Sequence, residues 1–201
     1  MTLIVNETKY NIDFTFALTV TLMLILCSEE TVIISLFSSM LHELGHLMLM
    51  FLFRQKVISV TFGCFGVRIE RQLNHSLSYK KEALIALGGI MVNFVIAGIS
   101  ALCYCVYASD FALKLAAVNI FIALFNMIPV DTLDIGRVLR YTLLCYTDEG
   151  KCQRTVNIVS LVFVNLLVAG CIVYCLFLGF NISLIAVTVY LYVITLFKKW
   201  S

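Results

Sequence analysis

Apolar residues occupy this chain in long blocks separated by short polar intervals. After a polar lead, Met1–Asp13, the blocks predict helices over Phe14–Ser28, Thr31–Phe53, Ala83–Ala108, Phe111–Met127, Val156–Phe180 and Ile182–Phe197. A helix needs about 20 apolar residues to cross the hydrocarbon core of a bilayer. Phe14–Ser28 is short for this, so its span is expected to start earlier, to tilt, or to sit in thinned bilayer. Pro129, the only proline, ends the fourth block, because proline lacks the N–H that a helix interior needs. A second helical piece is expected over Ile135–Tyr146. The pattern predicts an all-α polytopic membrane protein of about six transmembrane helices.

The polar intervals add detail. Val57–Ile69 is β-branched and aromatic, with Gly63 and Gly66 as punctuation. It reads as two short strands in a hairpin at the membrane face. Arg71–Lys81 reads as a polar connector and Thr147–Arg154 as a charged turn. Lys114 is placed to snorkel to the interface. Lys198-Lys199-Trp200 forms a basic and aromatic anchor at the end of the chain.

Composition narrows the class. Of 201 residues, 62% are hydrophobic and 13% charged, so the helices leave no room for a soluble accessory domain. One transmembrane domain over 1–201 is expected. The net charge of +2 has no basic stripe to go with it, so nucleic acid is not an expected partner. The eight cysteines, Cys27, Cys64, Cys103, Cys105, Cys145, Cys152, Cys171 and Cys175, form no CxxC pair and read as reduced packing residues. Met1–Asn11 lacks a basic start, so no cleavable signal peptide is expected. Arg54, Lys56, Arg68, Arg71, Lys80 and Lys81 load the loop after the second predicted helix. Arg137, Arg140, Lys151 and Arg154 load the region after the fourth, and Lys9, Lys198 and Lys199 join them. In a six-helix layout these share one side, leaving Lys114 opposite. The excess of basic residues puts both termini in the cytoplasm.

The chemistry lies in Leu41-His42-Glu43-Leu44-Gly45-His46, inside the second apolar block. Histidines four apart on a helix share one face about a turn apart. Their imidazoles can meet one metal ion, and the intervening Glu43 can reach a water beside it: H-E-x-x-H is the zinc-hydrolase pattern. Ionisable groups inside a membrane helix are costly and mark function. The bland reading is a pair of packing histidines. A catalytic zinc needs a third protein ligand. His75, in a loop, is assigned no role. Asp131 and Asp134 follow the proline break, and spacing alone leaves both open. His46 lies eight residues before Arg54, roughly 12 Å from the edge of the membrane, and Asp134 lies three before Arg137 on the same side.

His42-Glu-Leu-Gly-His46, Gly89-x-x-x-Asn93 and Asn126-Met-Ile-Pro129-x-x-x-Leu133-Asp134-x-Gly136 together resemble the site-2 protease family of intramembrane zinc metalloproteases. The six-helix layout, the early zinc motif and the missing PDZ domain look most like its sporulation branch, which releases a membrane-tethered sigma-factor precursor. No CBS domain is expected after the last helix, so nucleotide sensing of that kind is not expected. The resemblance implies that His42, His46 and Asp134 bind Zn2+ and that Glu43 is the catalytic base. It implies that Asn126 holds substrate or the developing oxyanion. Asn93 would support the core packing or the substrate path. A bacterial cell membrane, a membrane-tethered protein substrate and a regulatory membrane protein are the setting and partners it implies. Two departures stand out: Ile135 where the family has glycine, and Ile90 where it has proline.

Two other classes compete with a protease. In a metal transporter the His pair and Asp134 would form a transient site, but Glu43 would be superfluous. A non-catalytic membrane partner protein would have no use for an intact H-E-x-x-H. For the hairpin, one reading is strand addition to an unwound substrate; the other is a plug at the membrane surface.

Overall fold

The computed structural model describes residues 2–5, 8–13, 21, 29–63, 66–71, 77–179 and 182–200. The first predicted helix, Phe14–Ser28, lies outside these residues except for Thr21, as do residues 72–76 of the polar connector, His75 among them. The described residues contain strands β1 (Thr2–Val5), β2 (Thr8–Ile12), β3 (Val57–Gly63) and β4 (Gly66–Arg71). Their helices are α1 (Glu29–Leu52), α2 (Tyr79–Tyr107), α3 (Asp110–Asn126), α4 (Asp134–Leu144), α5 (Glu149–Leu178) and α6 (Ile182–Trp200).

The chain is mostly helical, but not all-α. Its four strands form one sheet in the order β1-β2-β3-β4. β3 and β4 pair antiparallel, with Gly63 opposite Gly66 and an irregularity between Val57 and Ser59. The polar lead is not a loose arm: β1 and β2 pair antiparallel, and β2 then runs parallel to β3, with Lys9 opposite Ser59. The sheet thereby covers the edge of β3 that a lone hairpin would leave open. Ser59 Oγ donates to Glu70 Oε2 at 2.7 Å and ties β3 to β4 by side chains as well.

α1, α2 and α5 contain stretches long and apolar enough to cross a membrane. α3, with 17 residues, ends as expected just before Pro129. Several helices start earlier than their apolar blocks. Glu29 and Glu30 open α1, where carboxylates meet the positive end of the helix dipole. α2 takes in Tyr79–Lys81 from the connector, and Glu82 after it. The charged stretch read as a turn forms the first turns of α5, which starts at Glu149.

The helices are dressed inside out. Large apolar side chains face outward, Phe51, Tyr107 and Phe177 among the most exposed, as lipid-facing residues do. Ser38, His42, His46, Asn93, Asn119 and Asp134 are buried. α1, α2 and α3 pack on one another, and α4 packs on α2. α5 meets α4 and α6, with Val164 and Leu191 closing on Val130 in the loop after α3. Lys114 does not simply snorkel: its Nζ pairs with Glu30 Oε2 across α3 and α1. Of the cysteines, Cys152 and Cys171 are buried as expected, whereas Cys103, Cys105 and Cys145 are exposed.

α1 and α2 come into backbone contact at a pair of glycines. A Cβ on Gly45 would stand 2.5 Å from the carbonyl oxygen of Gly88, and one on Gly88 would stand 2.6 Å from that of Gly45. Two backbones therefore touch directly beside the zinc motif, which only paired glycines permit.

Candidate functional site

α1 presents His42 and His46 inward, one turn apart. Their Nε2 atoms are 3.3 Å apart and their rings stand edge to face at 83°. α4 begins at Asp134, so the loop after Pro129 delivers this carboxylate at a helix N-terminus. Asp134 Oδ2 lies 2.9 Å from His42 Nε2 and 3.3 Å from His46 Nε2. The three residues are buried and their ligand atoms lie within 4.8 Å of one another.

This donor set fits zinc. Ligand atoms about 2.0–2.1 Å from a tetrahedral ion stand about 3.3–3.4 Å apart. Two of the three separations match at 3.3 Å and the third is somewhat tighter at 2.9 Å. Asp134 Oδ2 is buried and accepts no hydrogen bond, although two ring nitrogens face it. Buried carboxylate oxygens need a partner, and a cation among the three groups would supply one. Gly89 of α2 keeps the place clear: a Cβ there would lie 2.5 Å from His42 Nε2 and 2.7 Å from His46 Nε2.

The outer ring nitrogens are held as well. His46 Nδ1 donates to the carbonyl of Ile85 at 2.7 Å, which leaves the lone pair on Nε2. His42 Nδ1 faces Asn93 Nδ2 at 3.2 Å. Asn93 is wholly buried and sits one turn beyond Gly89.

The remaining predicted residues are placed as follows. Glu43, half-buried on α1, lies within electrostatic reach of His42, His46 and Asp134. Asn126 ends α3, with its amide Nδ2 donating to the carbonyl of Ile122 at 3.0 Å. Asp131 is not with the histidines; Arg140 binds it. The two departures are accommodated. Ile135 lies in the first turn of α4 and needs no positive φ. Ile90 is a buried residue within α2. Gly136 is indispensable, because any Cβ would collide with the Val130 carbonyl.

No protein-family model matches the chain, and no curated protein matches it. A solved structure does: the "Site-2 Protease from Methanocaldococcus jannaschii" superposes with a TM-score of 0.72 over 98% of this chain and 94% of that one, at 19% identity. The chain has a site-2 protease fold.

Sequence reasoning missed three contributors to the centre of this site-2 protease fold. Gly89 carries a visible signal, a Gly-Gly pair one turn before Asn93, but that signal reads as helix contact rather than as clearance for imidazoles. The Ile85 carbonyl has no signal, since any residue supplies a carbonyl. Arg140 is one of several basic residues, and only the folded loop shows that it takes Asp131.

Proposed function

We propose that the protein is a zinc-dependent intramembrane metalloendopeptidase of the site-2 protease family, closest in kind to the sporulation branch. Its substrate would be a membrane-tethered protein, such as a sigma-factor precursor or an anti-sigma factor, cut within or near its membrane segment. The observation that carries this reading is the convergence of His42 and His46, on the membrane-length helix α1 that also bears Glu43, with Asp134 at the start of the short helix α4.

His42 and His46 of α1 and Asp134 of α4 would hold the ion. When bound, zinc supplies a Lewis acid that makes water acidic enough to lose a proton near neutral pH. Glu43 is the base that takes this proton and later delivers it to the nitrogen of the leaving amine. Asn126, at the end of α3, would hold substrate or donate to the oxygen that becomes negative; one N–H of its amide goes to the Ile122 carbonyl, and the second remains to donate. A helical substrate hides its peptide bonds, so it must unwind near the site. The outer edge of β4 is a candidate surface for the unwound segment to join as a strand.

Six crossings with both termini in the cytoplasm form the topology of this proposal. Open sheet edges are not tolerated in hydrocarbon, and β2 and β3 are neighbours in one sheet, so both lie on one side of the bilayer. The chain between them then crosses an even number of times. That parity supports a span ahead of α1. The basic residues beside β4 and in α4 favour the cytoplasm for that side.

The test is co-expression with candidate membrane-tethered precursors, read by gel shift. Cleavage by the wild-type chain and none by Glu43→Gln is expected. Equal cleavage by both, or zinc transport into vesicles without any cleavage, would overturn the proposal.

A further inference from the structure

Ser38 of α1 and Asn119 of α3 are wholly buried and take no part in the chemistry described above. Asn119 Nδ2 donates to Ser38 Oγ at 2.9 Å and to the carbonyl of Leu115, one turn back on its own helix, at 2.8 Å. A carbonyl only accepts, so Leu115 fixes which way round the amide lies. The other buried residues of α3 are Ala112, Ala116 and Ala123. Alanines let two helices come close, but nothing on their methyl groups resists sliding, and lipid adds no hydrophobic force between helices. A lone buried polar residue can set the register of such a seam, as it does in coiled coils, at a cost in stability. That cost is visible here: Asn119 Oδ1 accepts no hydrogen bond among the described residues, and a leucine would leave no such oxygen unpaired.

α1 and α3 run in the same direction: Glu30 and Lys114 pair near their starts, and Ser38 and Asn119 pair further along. From Asn119, seven residues along α3 lead to Asn126. That step is about 10.5 Å and returns to nearly the same face of the helix. The same step from Ser38 along α1 ends at Gly45, between Glu43 and His46. We propose that Asn119 is a positioning residue: its bond to Ser38 fixes α3 lengthwise against α1 and so holds Asn126 at the depth of His42, Glu43 and His46. This rests on the reading of Asn126 and the zinc motif as parts of one protease site. Without the bond α3 is free to slip along its alanine face, and Asn126 moves with it. His42 and His46 stay on α1. Asp134 is secured separately, since Asp131 in its loop is held by Arg140 of α4 and Ser160 of α5.

The test on the full-length chain joins a double-mutant cycle, read by precursor cleavage, to a distance measurement that needs no cleavage. Asn119→Leu keeps the bulk of the side chain and removes the bond. It should retain its zinc and cut about 100-fold more slowly, a loss that a misplacement of about 1 Å can cause. In an Asn126→Ala background the same substitution should change the rate by less than about 2-fold, because its effect passes through Asn126. A general weakening of the bundle would instead multiply the two losses. Ser38→Ala breaks the bond from the α1 side and should act as Asn119→Leu does, so the cycle can be run even where Asn119→Leu fails to fold. For the register itself, spin labels are placed on cysteines at the outward-facing Met48 of α1 and Leu124 of α3, in an otherwise cysteine-free Glu43→Gln chain in micelles. The distance between them should be sharp with Asn119 present. It should broaden or shift, within a turn of about 5.4 Å, once Asn119 or Ser38 is replaced. Multiplied losses in the cycle would overturn the inference, as would an unchanged distance in both variants. A wild-type chain that cuts no precursor sinks the protease reading instead, and the spin-label distances then decide whether Asn119 sets the register.

Discussion

Arg140 grips Asp131 with two parallel hydrogen bonds: Nε donates to Oδ1 at 2.9 Å and Nη2 donates to Oδ2 at 2.8 Å. The backbone N–H of Asp131 also donates to Ser160 Oγ of α5 at 3.0 Å. The loop that leaves Pro129 is therefore fastened at Asp131, and three residues later it sets Asp134 against the histidines. Two carboxylates that look alike in the sequence have separate duties, one in anchoring the loop and one facing the centre.

Asp134→Ala is accordingly expected to lose most of its zinc. Asp131→Ala should retain zinc but lose stability, by on the order of 2 kcal/mol for charge-assisted bonds of this kind. Metal analysis and thermal unfolding of the two purified variants check this, and zinc lost from Asp131→Ala but kept by Asp134→Ala would exchange the roles.

Glu43→Gln should abolish cleavage while holding one equivalent of zinc. The carboxamide cannot take a proton from water, yet none of the three proposed ligands is altered. Parallel measurement of metal content and precursor cleavage separates these effects; cleavage at the wild-type rate would remove Glu43 from the base role.

Gly89→Ala tests the clearance beside the imidazoles. The added methyl would meet His42 Nε2 and His46 Nε2 at 2.5 and 2.7 Å, where something has to move. Zinc affinity should drop at least about 10-fold, as for other disturbances of ligand orientation. Gly98→Ala, on the same helix with nothing within 4 Å of its Cβ, should keep its zinc and gain slightly in helix stability. Equal zinc affinity in the two variants would mean that Gly89 is there only for packing.

How much of this could be read from the chain follows from distance along it. The His pair and Glu43 lie within a single turn, so a helical period suffices to place them together. Asp131 and Asp134 needed the folded loop, because spacing leaves both on offer and Arg140 decides between them from nine residues away. His42 and Asn93 are 51 residues apart, and no local pattern joins them. The sheet was half legible. β3 and β4 are adjacent, with glycines at the turn, and they stand out by their β-branched residues. β1 and β2 are short, and β2 finds its parallel partner across the whole of α1, a pairing to which no local signal points.

Topology can be checked from the two ends of the helices. In a cysteine-free background, a cysteine at Asp148 should react with an impermeant thiol reagent only after the membrane is opened. One at Ser109, in the short link between α2 and α3, should react in intact cells. Labelling of the Asp148 site from outside would invert the proposed orientation and end the case for release of a product into the cytoplasm.

The contact of Gly45 with Gly88 also says where a substrate does not come from. A polypeptide strand needs about 4.8 Å between its own backbone and the next, and at this seam the two helices leave no such gap. The join of α1 and α2 is thus a closed seam beside the histidines. Under the proposed function, a peptide bond approaching Glu43 would have to come from another side of α1.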